Sequence, residues 1–123
     1  MIKLIIPYEL LCPDNQKMGL MRGRLILTSK YRQAKLKTSL LATCLYRGPL
    51  LETELELTAT LYPPTRRKTD PSNFSKLLHD ALEGVVYVND YQIVKSTYIR
   101  GAVSRIDARM EIEITELPQS VAA

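Results

Sequence analysis

Residues 51 to 63, LETELELTATLYP, alternate apolar and polar with a period of two. Thr53, Leu55, Leu57, Ala59 and Leu61 fall on one side, and Glu52, Glu54, Glu56, Thr58 and Thr60 on the other. A helix would scatter that pattern around its circumference, whereas a strand sorts it onto two faces. The chain therefore has to build a sheet with one covered face and one wet face. ARMEIEITEL, residues 108 to 117, repeats the device with Met110, Ile112 and Ile114 against Glu111, Glu113 and Thr115. The two glutamate rows invite a metal reading, but a solvated sheet face accounts for them more simply. Like charges placed directly opposite each other weaken a sheet, so the rows are expected out of direct register.

The rest of the chain supplies two helices and more strands. Residues 3 to 6 are a short β-branched run closed by Pro7, and residues 8 to 20 read as a loop. RGRLILTS, residues 22 to 29, reads as a strand. Thr28 or Ser29 then caps a helix from about Lys30 to Tyr46, with Leu36, Leu40, Leu41, Cys44 and Leu45 as its apolar stripe. Lys30, Arg32, Lys35 and Lys37 crowd the first half of that helix, where cations oppose the helix dipole; a solvated face and a phosphate contact both explain them. Residues 71 to 84 carry the best amphipathic pattern, with Phe74, Leu77, Leu78, Ala81, Leu82 and Val85 on one side and Gly84 as the stop. YQIVKSTYIR, residues 91 to 100, is the strand that follows. Strand, helix, strand over 51 to 100 predicts one βαβ crossover among antiparallel neighbours. The expected fold is a single α+β domain over 1 to 123, a mixed β-sheet with two main helices.

Composition removes several chemistries. His79 is the only histidine, so acid–base chemistry that relies on a pair or cluster of histidines cannot form within one chain. Cys12 and Cys44 lack ligand spacing, which argues against zinc and against a disulfide scaffold; two free thiols are expected, one partly buried on a helix. No apolar run reaches 18 residues, so no membrane span is expected, and the short N-terminal run does not resemble a signal peptide. A cytoplasmic protein is expected. The formal charge of +4 permits a polyanion partner without requiring one.

RRKTDPSNFSK, residues 66 to 76, joins the alternating strand to the amphipathic helix. Asp70 followed by Pro71 is a good helix start, because Asp caps and Pro is favoured at the first position. Capping leaves Arg66, Arg67 and Lys68 unexplained. Cations before a helix N-terminus add to a positive end, which disfavours folding and favours an anion. A further carboxylate, Asp90, stands before the next strand. Two carboxylates near a cationic run suit metal-assisted phosphodiester cleavage: the acids hold Mg²⁺, and a lysine stabilises charge on the phosphate.

RRKTDPSNFSKLLHDALEGVVYVNDYQIV, residues 66 to 94, resembles the signature of the RusA family of Holliday junction resolvases. That family has a basic run, D-x-D-N-x-x-K, a helix containing D-A-L, and an acidic residue before a Q-I/V-V strand. The likeness is dense from Pro63 to Ile93 and only general before residue 50. It implies a homodimeric endonuclease, dependent on Mg²⁺ (Mn²⁺ being able to substitute), that binds four-way DNA junctions and cuts two strands symmetrically. On that likeness Asp70, Lys76 and Asp90 are the catalytic residues, with Asp70 and Asp90 as metal ligands. Arg66, Arg67, Lys68, Asn73 and Lys76 face DNA. Asp80 matches the D-A-L aspartate and either supports the site or serves the polar helix face. Thr69 stands where the family often has another cation. Ser72 replaces the second motif aspartate; a neutral hydroxyl suits contact with the metal through a water. The site is short of one negative charge, so either cleavage tolerates serine or the chain is a DNA-binding dimer that no longer cuts. A small structural protein with an ordinary capped helix is the third reading.

In a simple βαβ unit Asp70 lies at one end of the sheet and Asp90 at the other. Asp90 is therefore expected either to reach back within its own chain or to complete the Asp70 site of a second copy.

Overall fold

The structure is a computed structural model in which residues 1–118 are described. Four strands form the main sheet in the order β1-β6-β4-β5. They are β1 (Ile2–Pro7), β4 (Leu55–Tyr62), β5 (Ile93–Arg100) and β6 (Arg109–Glu116). β6 is antiparallel to β1 and β4, while β5 runs parallel to β4, which makes the sheet mixed. β2 (Met18–Met21) and β3 (Arg24–Leu27) pair separately as a two-stranded ribbon. The helices are α1 (Ser29–Leu45) and α2 (Ser75–Leu82). β4, α2 and β5 make the expected crossover.

Alternation does what the spacing predicts. Leu55, Leu57, Ala59 and Leu61 of β4 are buried, as are Met110, Ile112 and Ile114 of β6 and Leu4 and Ile6 of β1. Both helices cover this face, with Tyr31, Ala34 and Ala42 from α1 and Leu77, Leu78 and Leu82 from α2 in one core. On the wet face Glu113 sits opposite Thr58, Glu111 opposite Thr60, and Glu56 opposite Thr115. These three glutamates thus face threonine across the β4–β6 pair, and Lys3 and Arg109 neutralise Glu111 at 3.2 and 2.8 Å. The glutamate rows are a solvated face.

Four expectations need correction. Residues 8 to 20 are not all loop: Met18 opens β2, and Arg22 (φ 52°) with Gly23 (φ 77°) forms the tight turn into β3. Two left-handed residues in succession are what a two-residue hairpin turn requires. The buried stripe of α1 is Tyr31, Ala34, Thr38 and Ala42, whereas Leu36, Leu40, Cys44 and Leu45 are exposed. Ala34, Thr38 and Ala42 let α1 approach α2 closely, Tyr31 is inside with its hydroxyl on Asp80 of α2, and Leu41 alone of the expected stripe is half-buried. The buried thiol is Cys12, which lies in a loop. The helix expected over 71 to 84 begins as a 3-10 turn, Pro71–Phe74, and α2 proper is shorter; Gly84 does adopt a positive φ of 81° just beyond it. Among the described residues no helix is long and apolar enough to cross a membrane.

Candidate active site

Asp70 caps the 3-10 turn that leads into α2. Its Oδ1 accepts the Ser72 N–H at 2.9 Å and the Ser72 hydroxyl at 2.7 Å. The Ser72 hydroxyl first, and the Ser72 backbone second, hold the Asp70 carboxyl below its ordinary range. Oδ2 has no partner among the described residues, and the side chain is exposed. Asp70 is thus ionised, oriented, and open on one oxygen.

Asp70 shares a cleft with Lys68, Thr69, Pro71 and Arg100. Arg100 is the last residue of β5, and the cleft lies outside the carboxyl ends of the parallel pair β4 and β5. Ligands favour that place in sheets with parallel strands. Sequence reading passed over Arg100, since its relevance depends on the parallel register that sets Leu61 opposite it. Arg66, Arg67 and Lys68 are exposed on the loop approaching Asp70 and form no ion pair among the described residues. Asn73 is half-buried in the same turn.

Lys76 lies on the first turn of α2 and pairs with Asp80 at 3.7 Å. Asp80 also pairs with Lys17 at 3.5 Å and accepts the Tyr31 hydroxyl of α1. Partial burial opposes its ionisation, but Tyr31, Lys76 and Lys17 outweigh this and hold its carboxyl below the ordinary range. Asp80 therefore ties α1 to α2 and also sits beside Lys76.

α2 has no cap of its own, since Phe74 occupies that position. Asp14, sixty residues earlier, supplies it: its carboxylate accepts from the Ser75 hydroxyl (3.2 Å), Lys76 N–H (3.0 Å) and Leu77 N–H (3.3 Å). No local sequence signal could have revealed this, because the cap and the helix meet only through folding.

Asp90 is elsewhere. It opens the turn Asp90–Gln92 just before β5, and its N–H is accepted by Glu83 Oε2 at 3.1 Å. Buried Gln92 holds that turn with all its capacity: Nε2 donates to the Leu51 and Thr53 carbonyls, both at 2.9 Å, and Oε1 accepts from Val88 and Asn89 N–H at 3.0 and 2.9 Å. Val88, Tyr91 and Val94, within four residues of Asp90 along the chain, are exposed. The β4–β5 ladder runs from Leu55–Ile93 to Leu61–Arg100, so Asp90 and Asp70 flank its two ends. At about 3.3 Å per residue, that sets them roughly 20 Å or more apart. The fold sets Asp70, Ser72 and Asn73 in the turn that opens α2, with Lys76 on its first turn and Asp80 near its far end, and Asp90 follows at the opposite end of the ladder from Asp70. Among the described residues no three His, Cys, Asp or Glu side chains gather as a metal site.

Compared with known families, the chain matches the model described as endodeoxyribonuclease RusA over residues 7–115, from the last residue of β1 almost to the end of β6. No curated protein matches it.

Proposed function

The chain belongs to the endodeoxyribonuclease RusA family, and from that premise we propose that it resolves four-way DNA junctions by symmetric, Mg²⁺-dependent cleavage as a homodimer. The observation that carries the reading is Asp70, fixed through one oxygen and open through the other, in a cleft flanked by Lys68 and Arg100. Cations beside an ionised carboxylate attract a phosphodiester while the carboxylate remains available to a metal.

The donor set fits Mg²⁺ only if a second carboxylate joins Asp70. This cation is commonly held by one or two carboxylates together with waters and substrate phosphate. Asp70 would supply one oxygen, and Asp90 of a second copy the other carboxylate. The distance between Asp70 and Asp90 along one sheet supports a site shared across the dimer, and exposed Val88, Tyr91 and Val94 offer Asp90 an apolar rim against a partner. When bound, the metal would activate water and offset charge on the phosphate. Lys76, paired with Asp80, would stabilise the phosphate oxygens. Arg66, Arg67 and Lys68 add charge on the approach. A cytoplasmic location accords with this substrate.

A second reading follows from Ser72. Its hydroxyl is spent on Asp70 and carries no charge, so a DNA-binding dimer without cleavage is the alternative. Junction cleavage in Mg²⁺ separates the two. The nuclease reading expects the wild-type chain to cut a four-way junction and Asp70→Asn to bind but not cut. Tight junction binding by the wild type with no cleavage in Mg²⁺ or Mn²⁺ would establish the alternative.

A further inference from the structure

The β2–β3 ribbon stands apart from the main sheet. Its register pairs Met18 with Leu27 and Leu20 with Leu25, so these four side chains share one face of the ribbon. All four are exposed, Leu20 at 77% and Leu25 at 69%. A two-stranded ribbon is only marginally stable alone, and four aliphatic side chains on one open face call for a covering surface. The tip carries Arg22 and Arg24 around the tight turn.

The base of the ribbon is anchored beside the candidate site. Thr28 donates its N–H to Lys17 O (2.9 Å) and its hydroxyl to Gln16 O (2.7 Å), closing the ribbon at its foot. Lys17 pairs with Asp80, and Asp14 caps the turn of α2 that carries Lys76. The ribbon therefore rises from the half-site of Asp70 and Lys76.

Charge decides what covers it. From Asn15 to Leu51 the chain has no acidic residue, while lysine or arginine recurs from Lys17 to Arg47. The register sets Arg24 on the other face of the ribbon, with Arg22 in its turn; a twofold dimer through the ribbon would bring two such basic tips together, and like-charge juxtaposition is costly. A polyanion has the complementary sign. Leucine and methionine are side chains that DNA-bending proteins insert between base steps, where unstacking is the cost. At a branch point that cost is already lowered.

We propose that the β2–β3 ribbon is a wedge for the branch point, with Met18, Leu20, Leu25 and Leu27 against bases and Arg22 and Arg24 on flanking phosphates. The proposal rests on the junction-nuclease reading and adds the element that would distinguish a junction from a duplex.

The test uses the full chain, a four-way junction carrying 2-aminopurine at the branch point, and a duplex of the same sequence. Wild type should bind the junction and raise the 2-aminopurine fluorescence as the base unstacks. Leu20→Ser/Leu25→Ser should lose about tenfold in junction affinity, the scale of lost base contacts, together with the fluorescence rise, and keep its duplex affinity. Arg22→Gln/Arg24→Gln should weaken both and lower the salt dependence of binding by about one to two released counterions. Unchanged junction affinity and fluorescence in the serine variant overturns the wedge while leaving the nuclease reading intact. A serine variant that sediments as a monomer where wild type is a dimer overturns it too, assigning the face to a second copy. Wild type that binds neither DNA removes both readings. The ribbon lies outside the main core, so an unchanged urea midpoint confirms that the serine variant is folded.

Discussion

Ser72 holds the balance at the residue scale. Its N–H and hydroxyl both engage Oδ1 of Asp70, which orients the carboxylate and favours its charged form. A carboxylate in its place would add a unit of charge beside a metal, and Mg²⁺ affinity follows ligand charge. Ser72→Asp should therefore lower the Mg²⁺ concentration for half-maximal cleavage by about tenfold; an unchanged metal dependence would put position 72 outside the metal's reach. His79 permits a second prediction. Burial, opposed by nearby Asp90, lowers its pKa from 6.5, while Tyr98 Oη lies 3.2 Å from its Nε2. The unfolded chain then binds more protons between the lowered value and 6.5, so stability rises with pH through that window and levels off above it. As the only histidine, it should give one imidazole titration by NMR with a midpoint below 6.5. The rise in melting temperature through that window should be absent in His79→Gln.

At the scale of elements, α2 is a short helix whose start is built by a distant loop. Asp14 satisfies two of its free N–H groups and the Ser75 hydroxyl. Removing such a cap costs about 1 kcal/mol, so Asp14→Ala should lower the unfolding free energy by about that much in urea. Asp14→Asn keeps an acceptor and should recover most of the loss. Because Lys76 N–H is one of the capped groups, the alanine variant should also cut junctions more slowly under conditions where it remains folded. Gln92 plays the matching part for Asp90, anchoring its turn to the strand approach at Leu51 and Thr53. The strongly patterned elements were legible: β4 and β6 by alternation, α2 by its amphipathic stripe, and the cap at Asp70 by the Asp-Pro pair. α1 was legible as a helix but not in its orientation. Leu36, Leu40 and Leu45 are outside, while Ala34, Thr38 and Ala42 allow close approach to α2 and Tyr31 packs inside through its bond to Asp80.

For the whole molecule, the decisive geometry is the sheet that separates Asp70 from Asp90. If the two act together across a dimer, an Asp70→Asn chain and an Asp90→Asn chain should complement each other. Each mixed dimer would hold one intact site and one doubly disabled site, so it should nick a junction on one strand instead of cutting symmetrically. Homodimers of either variant should be inactive. Mixed dimers with no nicking would show that the carboxylates are not shared in this way.

The amino-acid sequence by itself determined the layers: periods of two and of 3.6 residues dictate which faces are covered, and capping chemistry dictates where α2 is approached. It also carried Asp70, Asn73, Lys76 and Asp90 as a motif. Only the tertiary structure decided their grouping. Asp14 joined α2, Arg100 joined Asp70, and Asp90 moved to the far end of the sheet, because strand register and the parallel direction of β5 are set by packing among distant segments. Local propensity carries no information about those distances; burial of one continuous core does.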